Sequence, residues 1–321
     1  MDRRKLVGLR PQSYEHPSDM RALNVLENTP GLGVLVKKCN EFGLERFLRI
    51  RFTGSNLCVN ADNFSEINEM VEETCAILDV PKKPDVYIAA DGNIKAEVAG
   101  VERPLLVLSS GAIDHLTGDE LRFVIGNQIG HIKSGHSLYY QMAEFFPVIG
   151  AVIGNATLGI GKLVSKPIEI ALLNWKRMSQ YTCDRAGLLA CQDANVAIGA
   201  MVKLAGLPHK YFGKFNNDDF IAQAKDFAGL DVSRLDWMAK ALSIMGETHP
   251  WTVMRASEFL CWIDSGEYDR VLTTPHEAPA LPPPIPGAAK FCTNCGWALA
   301  GSEAFCPGCG TKTSAAIAAL S

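Results

Sequence analysis

The segment from Thr117 to His136, TGDELRFVIGNQIGHIKSGH, constrains the fold more tightly than any other stretch. Thr117 is followed three residues later by Glu120, the pattern in which side chain and backbone at a helix start satisfy one another. The apolar-rich, proline-free run behind it predicts a long helix. Asn127 and His131 share one face of that helix, a turn apart. Two side chains at this spacing can grip a metal ion. A single histidine in such a helix is ordinarily structural, so the segment alone does not define a site.

Further helices are predicted from Pro17 or Ser18 toward Leu26, over Leu32 to Phe42, and through FSEINEMVEETCAILDV, whose apolar residues form one stripe. Others run from Pro167 past Trp175 to Leu189 and over Asn195 to Leu204. WMAKALSIM and WTVMRASEFLCWI supply two more, with His249 and Pro250 at their junction. DVYIAA and PLLVLSS read as strands. RFLRIRFTGSNLCV, residues 46–59, alternates apolar and polar positions and predicts one or two strands around a turn at Gly54 and Ser55. The class is α+β, mostly helical with a small sheet.

Composition narrows the functional classes. Hydrophobic residues make up 47% and charged residues 21%, which supports a packed core and argues against disorder or a fibre. A net charge of -4 argues against general polyanion binding. No apolar run follows Arg3, Arg4 and Lys5, so no secretory signal is expected. Cys39, Cys58, Cys75, Cys183, Cys191 and Cys261 read as small buried residues of a cytoplasmic protein. FFPVIGAVIGNATLGIG, from Phe145, approaches membrane-spanning length but is interrupted by Pro147, Asn155 and glycines. It reads as a buried helical hairpin or as a surface for peripheral membrane contact through residues 145–164.

Residues 1–270 are expected to form the main domain and 271–288 a proline-rich, semi-rigid linker. Residues 289–313 form a terminal module and 314–321 a tail. In the module, Cys292, Cys295, Cys306 and Cys309 follow the spacing C-x2-C-x10-C-x2-C, each pair trailed by a glycine. Two such turns can present four thiolates tetrahedrally to one zinc ion. A module this small has too little core to fold unaided, so the metal would supply most of its folding energy. With four protein ligands this zinc would be structural. Lys290 and Lys312 are too few for a nucleic-acid footprint.

Several segments together carry a family resemblance: HPSDMRALNVLENTPGL, PLLVLSSG, GDELRFVIGNQIGHIKSGHSLYY, YTCDRAGLLACQD and HPWTVMR. Across roughly residues 14 to 265 the chain resembles the metallopeptidases that include HtpX-like proteases and the CAAX prenyl protease. Within them it is most similar to a bacterial branch of zinc-dependent proteases with chaperone function. The resemblance implies a zincin-like fold in which a metal helix and a second ligand helix lie beneath a small sheet. The edge strand of that sheet would align a peptide.

The same resemblance implies that the chemistry is missing. Asn127 stands where the family has the first histidine of HExxH, Gln128 where it has the glutamate base, and His131 where it has the second histidine. Gln180 stands at the third-ligand glutamate, four residues before Asp184 of the DRAG segment. Lys95, Ala96 and Glu97 replace an Asn-Ala-Phe run near the cleft. Arg255 closes the later motif that begins at His249. Neutral amides are poor zinc donors, and one imidazole alone does not retain the ion. A carboxamide at Gln128 cannot take a proton from water, so binding and base catalysis fail separately. His131, His249 and Asp184 or Cys183 could be imagined as a rebuilt site. The resemblance implies that Asp184 is supporting, while Cys183 in an apolar helix reads as core and His136 as structural.

The expectation is therefore a catalytically inactive metallopeptidase homologue that binds a polypeptide or protein partner. Two alternatives stay open: an active zinc endopeptidase with an unusual metal shell, and a membrane-associated quality-control or assembly factor.

Overall fold

In the computed structural model, residues 3–146, 166–229, 250–276, 290–291 and 298–299 are described. Helices α1 (Pro17–Glu27), α2 (Leu32–Phe42) and α3 (Leu44–Ser55) come first, followed by strand β1 (Leu57–Val59) and helix α4 (Ser65–Ile77). Strands β2 (Asp85–Ala89), β3 (Ala96–Ala99) and β4 (Leu105–Ser109) complete a four-stranded sheet in the order β1-β2-β4-β3. Helices α5 (Ser110–His115), α6 (Gly118–Lys133) and α7 (Ser137–Glu144) follow. Then come α8 (Lys166–Cys191), α9 (Ala194–Leu204), α10 (Asn217–Gly229), α11 (Thr252–Asp264) and α12 (Glu267–Thr273).

The capping box forms as the sequence predicts. Thr117 N–H donates to Glu120 Oε2 at 2.7 Å, and Glu120 N–H donates to Thr117 Oγ1 at 3.3 Å. Helix α6 stops at Lys133 rather than running to His136, because Gly135 turns the chain at φ +70°. His136 thereby becomes the cap of α7.

Helices α6 and α8 pack along each other as the central pair, with α1, α7 and α11 against α8 and α4 against α6. Small residues permit the approach. A Cβ added to Gly126 would lie 2.4 Å from the Cβ of Ala190, and one added to Gly130 would lie 2.6 Å from that of Ala186. No side chain other than hydrogen fits there, so the two backbones set the spacing of everything they carry.

Strand β4 is buried along its whole length, as its unbroken apolar run LLVLS requires of a central strand. It pairs in parallel with β2 (Val86 with Leu106) and antiparallel with β3 (Glu97 with Val107). Ser109 N–H donates to Lys95 O at 3.0 Å, which places every second residue of β3 in the ladder with β4. The backbone groups of Ala96 and Val98 therefore point away from β4, and among the described residues no strand pairs on that side. One step further on, the outward N–H of Gly100 is taken by Gln141 Oε1 at 3.0 Å. Helices α6 and α7 pack on β3.

Two predictions are corrected. Cys58 and Cys261, expected to be buried, are exposed. Residues 46–55 form α3, not a strand, and only Leu57–Val59 is extended. The buried positions of α3 are Leu44, Leu48 and Phe52, spaced by four. Ile50, which with Leu48 and Phe52 made the pattern look alternating, is 62% exposed. The helical stripe outweighs the apparent alternation because its residues all reach the core.

The chain divides into two units. The first comprises Met1–Leu6 and Arg10–Thr274, and the second Val7–Leu9 and Pro275–Ser321. In the second, Lys290–Phe291 (β5) pairs antiparallel with Ala298–Leu299 (β6). The four ribbon cysteines, most of the proline-rich linker, WMAKALSIM and His249 lie outside the described residues, as does residue 147–165 of the apolar stretch. Phe145 and Phe146 at its start are buried. Among the described residues, no helix is long and apolar enough to cross a membrane.

Candidate functional site

Two side-chain networks lie between α6 and α8, and they divide the family's chemical positions between them. The first is centred on Asp184, buried on α8. Arg255 of α11 grips it with both arms of its guanidinium, Nε to Oδ2 at 2.9 Å and NH2 to Oδ1 at 2.6 Å. Burial works against the Arg255 charge, but the adjacent carboxylate outweighs it and holds the guanidinium above its ordinary pKa. Asn127 Nδ2 donates to the same Asp184 Oδ1 at 2.9 Å. Gln128 Nε2 in turn donates to Asn127 Oδ1 at 2.8 Å. Both ends of the Asn127 amide are thus engaged by neighbouring side chains. Gln128 Oε1 is buried without a hydrogen-bond partner.

The second network is a row of imidazoles. Gln180 Nε2 lies 3.1 Å from His131 Nε2. His131 Nδ1 lies 3.3 Å from His136 Nδ1. His136 Nε2 reaches Asp19 Oδ2 on α1 at 3.3 Å, and Thr182 Oγ1 donates to that same oxygen at 2.6 Å. Cys183 Sγ stands 3.7 Å from His136 Nδ1. The rings are held sideways by aromatic neighbours, His131 on Tyr140 and His136 against the edge of Trp175. His131 and Cys183 are both 0% exposed. Burial, with help from Asp19 and Asp184, pushes the Cys183 thiol well above its ordinary pKa.

The sequence-predicted residues accordingly fall into place unevenly. Asn127, Gln128, Asp184 and Arg255 meet in one network and His131 and Gln180 in the other. His249 is not among the described residues. His136 and Cys183, which the sequence reading assigned to structure and core, stand beside His131 and form with it a cluster capable of coordinating a metal. Asp19 and Thr182 were not foreseen as site residues. The usable signals were the histidine placed just beyond Gly135 and the acidic residue within HPSDM.

The family ligand places do not fit a catalytic zinc. A site of that class needs three basic side-chain donors and an open position. Here the first place is an amide engaged at both ends and the third an amide facing His131. At the base position, Gln128 has no proton-accepting carboxylate.

Comparison with known proteins bears on ancestry. The model of peptidase family M48 matches residues 61–263. The plastoglobule-localized metallopeptidase 48 of Arabidopsis thaliana is 28% identical over 261 residues, covering 81% of this chain and 74% of that protein. Protease HtpX homolog 2 of Methanosarcina acetivorans is 25% identical over 180 residues, 48% of this chain and 60% of its own length. Metalloprotease YcaL of Escherichia coli is 30% identical over 86 residues, 27% of this chain and 32% of its own. No solved structure matches. With the family model spanning more than half its length, this chain belongs to peptidase family M48.

Proposed function

We propose that this M48 member is catalytically inactive and acts by holding an extended polypeptide or protein partner. The observation that carries the reading is the closed network Arg255–Asp184–Asn127–Gln128. The positions that elsewhere bind metal and activate water are here tied to one another by neutral amides around a compensated carboxylate. What the frame retains is the outward backbone of Ala96 and Val98 on β3. A strand added there would gain main-chain hydrogen bonds without any chemistry. The test is hydrolysis of an unstructured, fluorescently labelled protein by the full chain, beside binding of the same protein. Binding without cleavage is expected. Cleavage by the purified wild type that disappears in both His131→Ala and Gln128→Ala would overturn the proposal.

A second reading, an endopeptidase with an unusual metal shell, is favoured by the His131, His136 and Cys183 cluster. The same hydrolysis assay separates the two.

The finer assignments belong to the same proposal. Cys292, Cys295, Cys306 and Cys309 would hold a structural zinc, on the strength of their spacing. The chain would reside in the cytoplasm and touch membrane surfaces peripherally through residues 145–164. Flotation with liposomes, with and without that stretch, tests this last point.

A further inference from the structure

We infer that His131, His136 and Cys183 form a three-ligand zinc site, displaced about one turn from the family's metal position. The inference concerns a donor set that shares only His131 with the Asn127–His131–Gln180 places and does not depend on whether the protein binds polypeptides.

The displacement follows both helices. From 127 and 131 on α6 the donors move to 131 on α6 and 136 at the start of α7, and on α8 from 180 to 183. The three donor atoms lie within 4.8 Å of one another. Around a tetrahedral zinc with bonds of about 2.0 to 2.3 Å, neighbouring nitrogen and sulfur ligands stand roughly 3.3 to 3.7 Å apart. The two separations on His136 Nδ1 are 3.3 Å to His131 Nδ1 and 3.7 Å to Cys183 Sγ. Two imidazoles and a thiolate form a donor set that suits zinc.

The surroundings have the form of a metal shell. His136 presents Nε2 to Asp19, the carboxylate–histidine arrangement that leaves Nδ1 as the donor. Gln180 stands on His131 Nε2, and with its amide turned by a half-rotation its oxygen accepts from Nε2–H, the tautomer whose Nδ1 carries no proton.

A second, independent observation points to a cation. Asp19 is buried, its Oδ2 is met by Thr182 and His136, and its Oδ1 has no hydrogen-bond partner. A buried carboxylate beside a buried sulfur is costly without compensating positive charge. A dication would balance one carboxylate and one thiolate. Loading exchanges the Cys183 thiol proton for the metal, and that proton leaves to solvent. The site would tie α1, the end of α6 and α8 together. The family's base position, Gln128, offers no carboxylate.

The test is made on the full chain with the four tail cysteines replaced (C292S, C295S, C306S and C309S), so that a tail ion cannot contribute. Metal content is measured by mass spectrometry, and cobalt(II) is substituted to read sulfur-to-metal charge transfer in the near ultraviolet. One zinc per chain and a thiolate–cobalt band are expected, both lost in Cys183→Ser and in His136→Ala, and both kept in Cys39→Ser. The cobalt band in the otherwise unaltered Cys183 protein reports thiolate ligation even where Cys183→Ser fails to fold. Absence of metal and of the band would overturn the inference, as would metal that survives both substitutions.

Discussion

Asp184 illustrates how much a single carboxylate can organise once it is removed from water. It accepts from Arg255 twice and from Asn127 once, and Asn127 passes the constraint to Gln128. Removing one partner of such a buried pair leaves an uncompensated charge. Asp184→Asn and Arg255→Met are each expected to cost about 3 to 5 kcal/mol in urea denaturation. The double substitution should cost clearly less than the sum, because neither variant then buries a lone charge. Additive losses would show that the pair is not coupled.

Glu97 on β3 behaves oppositely, and the sign can be worked out. Burial, followed by the nearby Glu144 charge, raises its pKa above 4.5, despite Arg51, Lys176 and Lys95 in its surroundings. The folded state thus binds the proton more tightly than the unfolded chain, and stability falls as pH rises from about the ordinary glutamate value upward. Glu97→Gln should flatten the melting temperature against pH above that value and raise it near neutrality. An unchanged profile would remove Glu97 as the cause. The identity of the site residues was legible in the sequence as far as Asn127, Gln128, Gln180 and Asp184. That His136 and Cys183 join His131 was not, because helix spacing says nothing of what a turn at Gly135 brings back against a second helix.

At the scale of elements, the contact of α6 with α8 depends on the absence of side chains. Gly126→Ala should destabilise by about 1 to 3 kcal/mol, since the new methyl would meet Ala190 and overpack the pair. Intrinsic preference predicts the opposite sign, a gain of up to ~1 kcal/mol for alanine in a helix. Gly54 in α3 has nothing within 4 Å of an added Cβ, so Gly54→Ala should show that gain instead. Thermal denaturation of the two variants side by side checks the contrast, and a stabilised Gly126→Ala would contradict the close approach. The misread strand at residues 46–55 belongs to this scale as well. Its apolar residues satisfy both periods, and only the location of the core shows that the set Leu44, Leu48 and Phe52 is the one buried.

For the whole molecule, the first unit contains both networks, the four-stranded sheet and all twelve helices described here. A chain ending at Thr274 should therefore unfold cooperatively with a helical signal and midpoint close to those of the full chain. A melting temperature lowered by many degrees, or loss of cooperativity, would show that residues 275–321 are required for the first unit to fold.

Local pattern alone set the helix start at Thr117, the two core strands, the family frame and the amides at residues 127, 128 and 180. Each of these depends on local pattern or on the chemical nature of one side chain, amide against carboxylate or imidazole. Tertiary structure alone decided that the amides close onto Asp184 and that His136, Cys183 and Asp19 converge on His131. Those contacts join residues as far apart in the chain as 19 and 136. They form because glycines let two helices approach, a packing outcome that no single segment encodes.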